Sequence, residues 1–384
     1  MAYFFQEDER KIRDFFADSQ FIYETTAPIF MQRPLAWKHL CKTSAFWKGI
    51  LRLPLLPLRG TLIKQLKKYF KNKKTIQYFS RYATYNGSSP FATPAMMQLM
   101  PHVEQGIGAY LPEKGMYSIS NSLMHLAIRQ GAKFHFESKV TALKLNRNRV
   151  EAIQFQNEQW SNLNEHDVVI SNMDVHGTYR QLIKDFPAPE KWLNQEKSSS
   201  ALIFYWGMNR KFDQLDVHNI FFSDCYEDEF DHLFNKKDLA QDLTVYVHIT
   251  SKLIPNDAPN SGENWFVMVN APHVNGQNWQ EEELKAREQI IKKLSQILKV
   301  EIENHICCER IWNPEGIQTD TSSYLGALYG NASNSAYSAF QRHANVNSSI
   351  LGLYFAGGSV HPGGGVPLAM LSAKMIEHHI LAHE

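Results

Sequence analysis

The chain has 384 residues, of which 43% are hydrophobic and 21% are charged. These proportions exclude a disordered or a fibrous protein, and the length suggests two or three globular domains. Lysine and arginine together number 40 and aspartate and glutamate 39, so the formal net charge is +1. A nucleic-acid-binding surface that covers the whole molecule is therefore not expected, and any contact with a polyanion must come from a local patch.

The cysteines and the first residues indicate a cytoplasmic protein. Cys41, Cys225 and the adjacent Cys307 and Cys308 form no Cys-x-x-Cys pair, so we expect reduced thiols and no metal site. The N-terminal residues lack the basic and apolar regions of a signal peptide. No apolar run reaches the roughly 18 residues that a membrane span needs.

Helices are predicted for the first part of the chain. Residues 7–50 carry apolar side chains at roughly helical spacing, and we expect Pro28 and Pro34 to interrupt them. The segment Leu51-Arg-Leu-Pro-Leu-Leu-Pro-Leu reads as an irregular apolar loop. A helix from Leu62 then separates apolar side chains from lysines.

The stretch from Arg59 to Arg81 contains eight lysines and arginines and no acid. One interpretation is a solvated helix face. The other is a surface that sits on anionic lipid, with the proline-broken apolar loop as its inserting edge. Both stay open here; the second predicts that residues 51–81 attach the protein peripherally to the inner face of the membrane.

The middle of the chain changes to an α/β pattern. A helix is predicted from Tyr117 to Gln130, and Gly131 ends it. Alternating residues predict strands over 133–145 and 149–155, and a short buried strand is predicted over 167–172.

Residues 200–298 are predicted to form a mostly antiparallel sheet followed by a charged helix. The strand segments are 201–208, 244–250 and 265–270, and the helix covers 280–298. Their aromatic side chains fit a core, and they equally fit the apolar wall of a ligand tunnel. The sequence does not choose between the two.

The strongest signal lies near the C-terminus. A strand from Leu353 runs into Gly357-Gly-Ser-Val-His-Pro-Gly-Gly-Gly, and a helix opens at Val366 with Pro367 in its first turn. This loop has five glycines in nine residues, more than a turn requires. Glycines allow close approach of a large ligand, and a helix N-terminus offers free N–H groups to an electron-rich group.

This segment resembles the C-terminal flavin signature of the phytoene desaturase family. The blocks Arg81-Tyr-Ala-Thr-Tyr-Asn-Gly-Ser-Ser-Pro-Phe, Met100-Pro-His-Val-Glu-Gln-Gly-Ile-Gly and Ser171-Asn-Met-Asp-Val are similar to that family's middle region. The resemblance extends over nearly the whole chain. Within the family, the sequence of the glycine loop most resembles that of the 1-hydroxycarotenoid 3,4-desaturase branch.

The resemblance implies an FAD-dependent desaturase that removes two hydrogens across a carotenoid C–C bond: one leaves its C–H bond as a hydride to flavin N5, and the resulting allylic cation loses the other as a proton. The implied fold is α/β: a discontinuous Rossmann-type FAD domain like that of flavin amine oxidases, plus a substrate domain of sheet and helices. The implied segments are a helical substrate and membrane-contacting part at 1–104, FAD-binding segments at 105–172 and 311–384, and the substrate domain at 173–310.

The resemblance also implies a set of cofactor-binding residues, and it assigns no catalytic residue. Gly357, Gly358 and Ser359 would lie near the FAD diphosphate and ribityl chain, and Val366, Pro367 and Leu368 would open the helix aimed at the flavin. Val140 would hold the adenine, and Gly115 and Met116 would lie beside the isoalloxazine. We further expect Gly358 and Gly364 to tolerate no side chain, through contact with FAD or a positive φ.

The sequence departs from the family pattern in one respect. No strand followed by Gly-x-Gly-x-x-Gly is found, because Leu111 and Leu368 stand where third glycines would follow Gly106 and Gly363. We therefore expect the FAD site to be incomplete at its N-terminal side and to need a β-α-β unit encoded upstream or on a separate chain. A non-catalytic remnant, a carotenoid isomerase and an amine oxidase remain alternatives.

Three further features are assigned structural interpretations. His361 is expected to bond backbone rather than catalyse, and Asp174 is expected to cap a helix or bond a loop. The adjacent His378 and His379 lack the spacing of metal ligands on a helix, so a solvated C-terminal tail is expected there.

Overall fold

The computed structural model describes residues 2–31, 41, 43–335, 338 and 341–382, and its elements form a mixed α/β fold. The helices are α1 (Ala2–Phe5), α2 (Glu9–Phe30), α3 (Ser44–Arg52), α4 (Leu62–Tyr69), α5 (Lys73–Ser80), α6 (Tyr117–Arg129), α7 (Val175–Gly177), α8 (Glu190–Leu193), α9 (Tyr226–Asp231), α10 (Trp279–Leu298), α11 (Pro314–Thr321) and α12 (Val366–Leu381). The strands are β1 (Val140–Asn146), β2 (Arg149–Phe155), β3 (Trp160–Asn162), β4 (Val169–Ser171), β5 (Ser200–Met208), β6 (His218–Phe221), β7 (Val245–His248), β8 (Glu263–Ala271), β9 (Ile306–Trp312) and β10 (Leu353–Phe355).

The largest sheet has the order β6-β7-β8-β5-β9, and all its neighbours are antiparallel, as predicted. Strand β5 pairs with β8 along its full length, from Ser200 opposite Ala271 to Met208 opposite Glu263. One face of this sheet packs against α10 in a core that includes Phe204, Trp206 and Val267. Alternation along the strands therefore turns every second side chain into this core.

A second core joins segments that are far apart in the sequence. Strands β4 and β10 pair in parallel, and β1, β2 and β3 form a small antiparallel sheet. Leu143, Val150, Tyr179, Leu353 and Phe355 are buried together between them. The parallel pairing of segments about 180 residues apart is what a discontinuous Rossmann-type domain requires.

The first helices pack in a third core rich in aromatic rings. Phe15, Leu66, Phe70 and Phe79 are buried there, and the rings of Phe70 and Phe79 stack with centroids 5.1 Å apart. The prediction that Pro28 interrupts the first helix is wrong. It lies in the last turn of α2, where its missing N–H removes only one of the final helical bonds.

Some predicted boundaries need correction. Pro34 lies outside the described residues. The strand predicted from residue 133 begins only at Val140, opposite Phe155 of β2, because a turn in which Glu137 has a φ of 55° precedes it. The strand predicted as buried at 167–172 is shorter, and Ile170 is 50% exposed because β4 has only β10 beside it in the described part of the chain.

The limits of the four predicted segments remain a prediction. Strand β9 runs across residue 310, and Val175 and Tyr179 pack in the same core as Leu353. In the described ranges, no helix is both long and apolar enough to cross a membrane.

Candidate cofactor site

The glycine-rich loop connects the end of β10 to the start of α12, as predicted. Its residues follow Phe355, the last residue of a parallel strand, and end at Gly365, which precedes the helix. Gly357, Gly363 and Gly365 have φ values of 107°, 139° and 108°. These conformations are nearly closed to other residue types, so the loop shape depends on glycine at these positions.

Close packing restricts three glycines further. A Cβ atom at Gly364 would lie 2.7 Å from Cδ1 and 2.9 Å from Cα of Tyr329. A Cβ at Gly358 would lie 3.2 Å from Cα of Gly364, and one at Gly357 would lie 2.7 Å from Nδ2 of Asn172. Gly358 and Gly364 do not have a positive φ. Crowding by neighbouring residues is therefore the restriction that the structure shows at these two positions.

The start of α12 is open towards solvent. Gly365 is the N-cap residue and makes no side-chain capping bond, and a Cβ there would meet no atom within 4 Å. Val366 and Pro367 are exposed, and Leu368 is half-buried. The helix is tied to the loop from within, since the Gly357 N–H donates to Oγ of Ser372 at 2.8 Å. Its N-terminal N–H groups thus face a space that a ligand could occupy.

Residues after β4 support the loop from the other parallel strand. The Val175 N–H donates to Oγ of Ser359 at 3.1 Å. Asp174 accepts from the His176 N–H at 2.8 Å and from the Tyr324 N–H at 3.3 Å, which confirms its capping role. The carboxyl ends of β4 and β10 therefore open on the same loop, where open α/β sheets bind ligands.

His361 belongs to this support rather than to an exposed surface. The residue is buried, and its N–H donates to the His343 carbonyl at 2.9 Å. Its own carbonyl accepts from Nδ2 of Asn345 at 2.8 Å. Both bonds are made by the backbone of His361, so the role expected for its side chain remains a prediction.

Two residues that the sequence reasoning missed complete the packing behind the loop. Tyr329 crowds Gly364, and the buried guanidinium of Arg342 lies against Gly363. Arg342 donates to the carbonyl oxygens of Tyr329 at 3.0 Å and Asn331 at 3.1 Å. No local motif marks either residue, because both reach the loop only through the tertiary fold.

The remaining predicted cofactor residues are less closely connected. Val140 packs against the second core, which also contains Val360. Gly115 has a φ of 74° and an open space where a Cβ would be, and Met116 next to it is exposed. None of the bonds described for Gly115 and Met116 joins them to the glycine loop.

The Arg81 block forms a partly buried polar cluster. Arg81 pairs with Glu104 at 2.8 Å, and its guanidinium lies 4.5 Å from the ring centroid of Tyr82 and 5.4 Å from that of Tyr85. The Tyr82 and Tyr85 hydroxyls donate to Glu104 at 2.8 and 2.5 Å. Although burial opposes ionisation of Glu104, Arg81 and the two hydroxyls hold the pKa of this carboxyl below its usual value. Arg81 is therefore not part of the solvent-facing basic surface.

The second face of the large sheet carries half-exposed aromatic side chains. Tyr205, Tyr246 and Phe266 alternate with the buried core residues of their strands. Ring centroids lie 5.5 Å apart for Tyr205 and Phe266 and 6.4 Å apart for Tyr246 and Phe266. One face of these strands is thus a core against α10, and that the other, partly exposed face lines a ligand site remains a prediction.

These features fit part of an FAD site. A glycine cradle that a Cβ would fill, an uncapped helix start and a buried cation together suit a large anionic cofactor. In the described residues no three His, Cys, Asp or Glu side chains are grouped as metal ligands.

Comparison with known proteins identifies the family. The model of the flavin-containing amine oxidoreductase family matches residues 56–375, which include the glycine loop and most of the chain. The chain belongs to this family. A putrescine oxidase variant of known structure shares its fold, with a TM-score of 0.60 over 98% of this chain and 76% of that one at 10% identity.

Within the flavin-containing amine oxidoreductases, the similar curated proteins act on carotenoids. The chain is 46% identical over 374 residues to a 1-hydroxycarotenoid 3,4-desaturase from Flavobacterium sp., covering 97% of this chain and 76% of that protein. It is 30% identical over 325 residues to a 4,4'-diapolycopene oxygenase from Methylomonas sp., covering 83% of this chain and 64% of that protein. The chain is therefore a carotenoid desaturase family member and, by family, an FAD-dependent oxidoreductase.

Proposed function

We propose that the protein is an FAD-dependent desaturase that introduces a double bond into a 1-hydroxylated carotenoid. The 46% identity to a 1-hydroxycarotenoid 3,4-desaturase over 97% of the chain carries the proposal. The aromatic face at Tyr205, Tyr246 and Phe266 supports it, because a long polyene needs an extended apolar wall. FAD, when bound, supplies the two-electron acceptor that amino-acid side chains lack.

The residues of this chain have two tasks in the proposed reaction. The glycine loop and the start of α12 hold the cofactor, through Gly357, Gly358, Ser359 and the helix opened by Val366. The aromatic face aligns the polyene and keeps water from it. Burial raises the pKa of Tyr246 to about 12, so its phenol stays neutral at physiological pH and this side chain adds no charge to the wall.

A charge placed on this wall is expected to remove activity. Replacing Phe266 with glutamate should lower kcat/KM for a hydroxylated carotenoid in FAD-loaded protein at least tenfold, because an ionised carboxylate disfavours the apolar substrate. The measurement is the red shift in visible absorption as the conjugated system lengthens. The control is Leu284→Glu on α10, an exposed position remote from the wall, which should keep wild-type activity. Wild-type protein that carries FAD and lengthens the conjugated system of no carotenoid would refute the proposed function. An active Phe266→Glu variant would refute the proposed role of the aromatic face in substrate binding.

We also propose that the FAD site is completed by a β-α-β unit with a Gly-x-Gly-x-x-Gly turn, on the same or another polypeptide. Helix α6 has no buried residue, although Leu123, Leu126 and Ile128 are apolar. A helix of this length is marginal in water without a packing partner. Parallel strands such as β4 and β10 are normally covered on both faces. Both features call for a further α/β layer.

The 384-residue chain purified alone is therefore expected to hold little FAD. Adding the glycine-turn unit of a relative, fused or as a second chain, should restore yellow protein, measured by flavin absorbance per polypeptide after gel filtration. The same unit with its third glycine replaced by leucine is the control and should restore nothing. Stoichiometric FAD on the chain alone would contradict the proposal. A stable homodimer that covers α6 would show that a second copy, rather than the unit, occupies this face.

We further propose that the protein is cytoplasmic and attaches to the inner face of the membrane. Trp47, Leu51 and Leu55 are exposed around the end of α3. Seven of the eight basic residues from Arg59 to Arg81 are exposed, and Arg81 is the exception. Exposed apolar groups beside a basic segment that contains no acid of its own suit an anionic bilayer.

A further inference from the structure

Arg342 is a buried cation without an acidic partner. The residue is 7% exposed. Among the residues that the structure describes, no carboxylate lies within ion-pair distance of it. Its described bonds go to the uncharged carbonyls of Tyr329 and Asn331. Burial lowers the pKa of Arg342 to about 10, so the guanidinium stays protonated at neutral pH. A buried charge of this kind is costly unless an opposite charge reaches it.

The position of this charge indicates where its partner lies. A Cβ at Gly363 would be 3.1 Å from Nε and 3.2 Å from Cζ of Arg342, so the guanidinium lies directly behind the glycine loop. Two residues further on, Gly365 opens α12, whose N-terminus carries a partial positive charge and no side-chain cap. The guanidinium and the helix start thus form one electropositive region at the loop. Among the described residues, no acid lies within ion-pair distance of Arg342.

A second buried cation lies on the other side of Asn331. Nζ of Lys197 donates to Oδ1 of Asn331 at 2.6 Å and to the Leu193 carbonyl at 2.8 Å. Asp174 acts on Lys197 electrostatically from beyond ion-pair distance. Two buried cations therefore lie behind the loop, and among the described residues neither of them forms an ion pair.

We propose that Arg342 is the internal counter-charge for an anionic group of FAD at the glycine loop. The inference rests on the proposed cofactor site and adds a residue to it. Two groups of the same ligand have this chemistry: the diphosphate, which is always anionic, and the isoalloxazine, which becomes anionic on reduction. Arg342 acts by charge through the thin wall of glycine backbone and is a positioning residue, not a catalytic one.

Two substitutions separate charge from hydrogen bonding. Arg342→Lys keeps the charge and loses the forked pair of bonds. Arg342→Gln keeps an N–H donor for a carbonyl and loses the charge. FAD affinity and the flavin midpoint potential are measured on FAD-loaded protein, with the glycine-turn unit added where loading requires it. Far-UV circular dichroism and thermal unfolding check the fold of each variant.

The charge role predicts that only the glutamine variant is impaired. If the diphosphate is the partner, oxidised FAD should bind at least tenfold more weakly. If the reduced isoalloxazine is the partner, the midpoint potential should fall by about 30 mV or more, which is a tenfold change for a two-electron couple. The lysine variant should keep an FAD affinity within twofold of wild type, and its midpoint potential should change by no more than the equivalent of a twofold change in binding. Equal impairment of both variants, or none in either, would overturn the proposal.

The lysine variant decides alone if the glutamine variant does not fold. Wild-type FAD affinity and potential in Arg342→Lys would then support the charge role, and loss of either in a folded protein would overturn it. Wild-type protein that takes up no FAD even with the glycine-turn unit would refute the cofactor site itself, which is a separate result.

Discussion

A valine at position 364 is expected to abolish FAD retention. Its Cβ would lie 2.7 Å from Cδ1 and 2.9 Å from Cα of Tyr329, and the second of these atoms is backbone that cannot rotate away. The loop must shift, and its movement carries the start of α12 with it. Overpacking of this kind costs about 1–3 kcal/mol, while the cofactor loses its cradle. Flavin absorbance per polypeptide should fall below about one tenth of wild type, with Gly358→Val affected in the same direction because Gly358 faces Gly364 at 3.2 Å.

The matched control is a crowded glycine outside the loop. A Cβ at Gly316 on α11 would lie 2.9 Å from Cδ1 of Trp312. Gly316→Val should lower thermal stability by a comparable amount and keep its FAD. Normal flavin content in the Gly364→Val protein would rule out the glycine loop as the cofactor site. Flavin loss in all three variants would show general instability instead.

Charging the exposed apolar edge is expected to remove membrane binding. Leu51 is 80% and Leu55 71% exposed, so neither side chain contributes much to the core. Inserting a leucine side chain into lipid contributes about 1.5–3 kcal/mol, and each basic residue near an anionic surface adds about 1 kcal/mol. The double variant Leu51→Glu/Leu55→Glu should therefore bind vesicles containing phosphatidylserine at least a hundredfold more weakly. Co-sedimentation measures the partition coefficient.

The control and the salt dependence distinguish binding through this surface from nonspecific adsorption to vesicles. Leu284 is 69% exposed on α10 beside Glu281, Glu282 and Glu283, and Leu284→Glu should leave vesicle binding unchanged. Wild-type binding should weaken as ionic strength rises, because salt screens the basic side chains. Equal binding to neutral and anionic vesicles, or none to either, would contradict the proposed membrane surface.

Local structure with its own signals could be predicted well from the sequence. Helix α6 begins at Tyr117 as expected, and Gly131 follows it with a φ of 91°. The strand–loop–helix at Leu353–Leu381 also has the predicted form. Glycine, proline and apolar spacing restrict the backbone within a few residues, so such elements need no information from the rest of the chain.

Predictions that depended on distant residues were less successful. Alternation from residue 133 predicted a strand, but β1 starts only at Val140, after a turn in which Glu137 has a positive φ. Arg81 counted among the membrane-facing charges in the sequence, whereas the fold pairs it with Glu104 and packs it against two tyrosines. Hydrogen-bond partners and ion pairs of this kind come from segments that no local pattern connects.

The family, the cofactor class and the glycine loop could be predicted from the amino-acid sequence alone, because they depend on residue types in a short fixed order. Folding was needed to show which face of the aromatic strands packs in the core and which stays partly exposed, since alternation labels two faces without saying what covers each. It also brought Tyr329 and Arg342 behind Gly363 and Gly364. The packing of a loop depends on chain segments that meet only after folding. For that reason the sequence did not predict that a buried charge lies beside this loop.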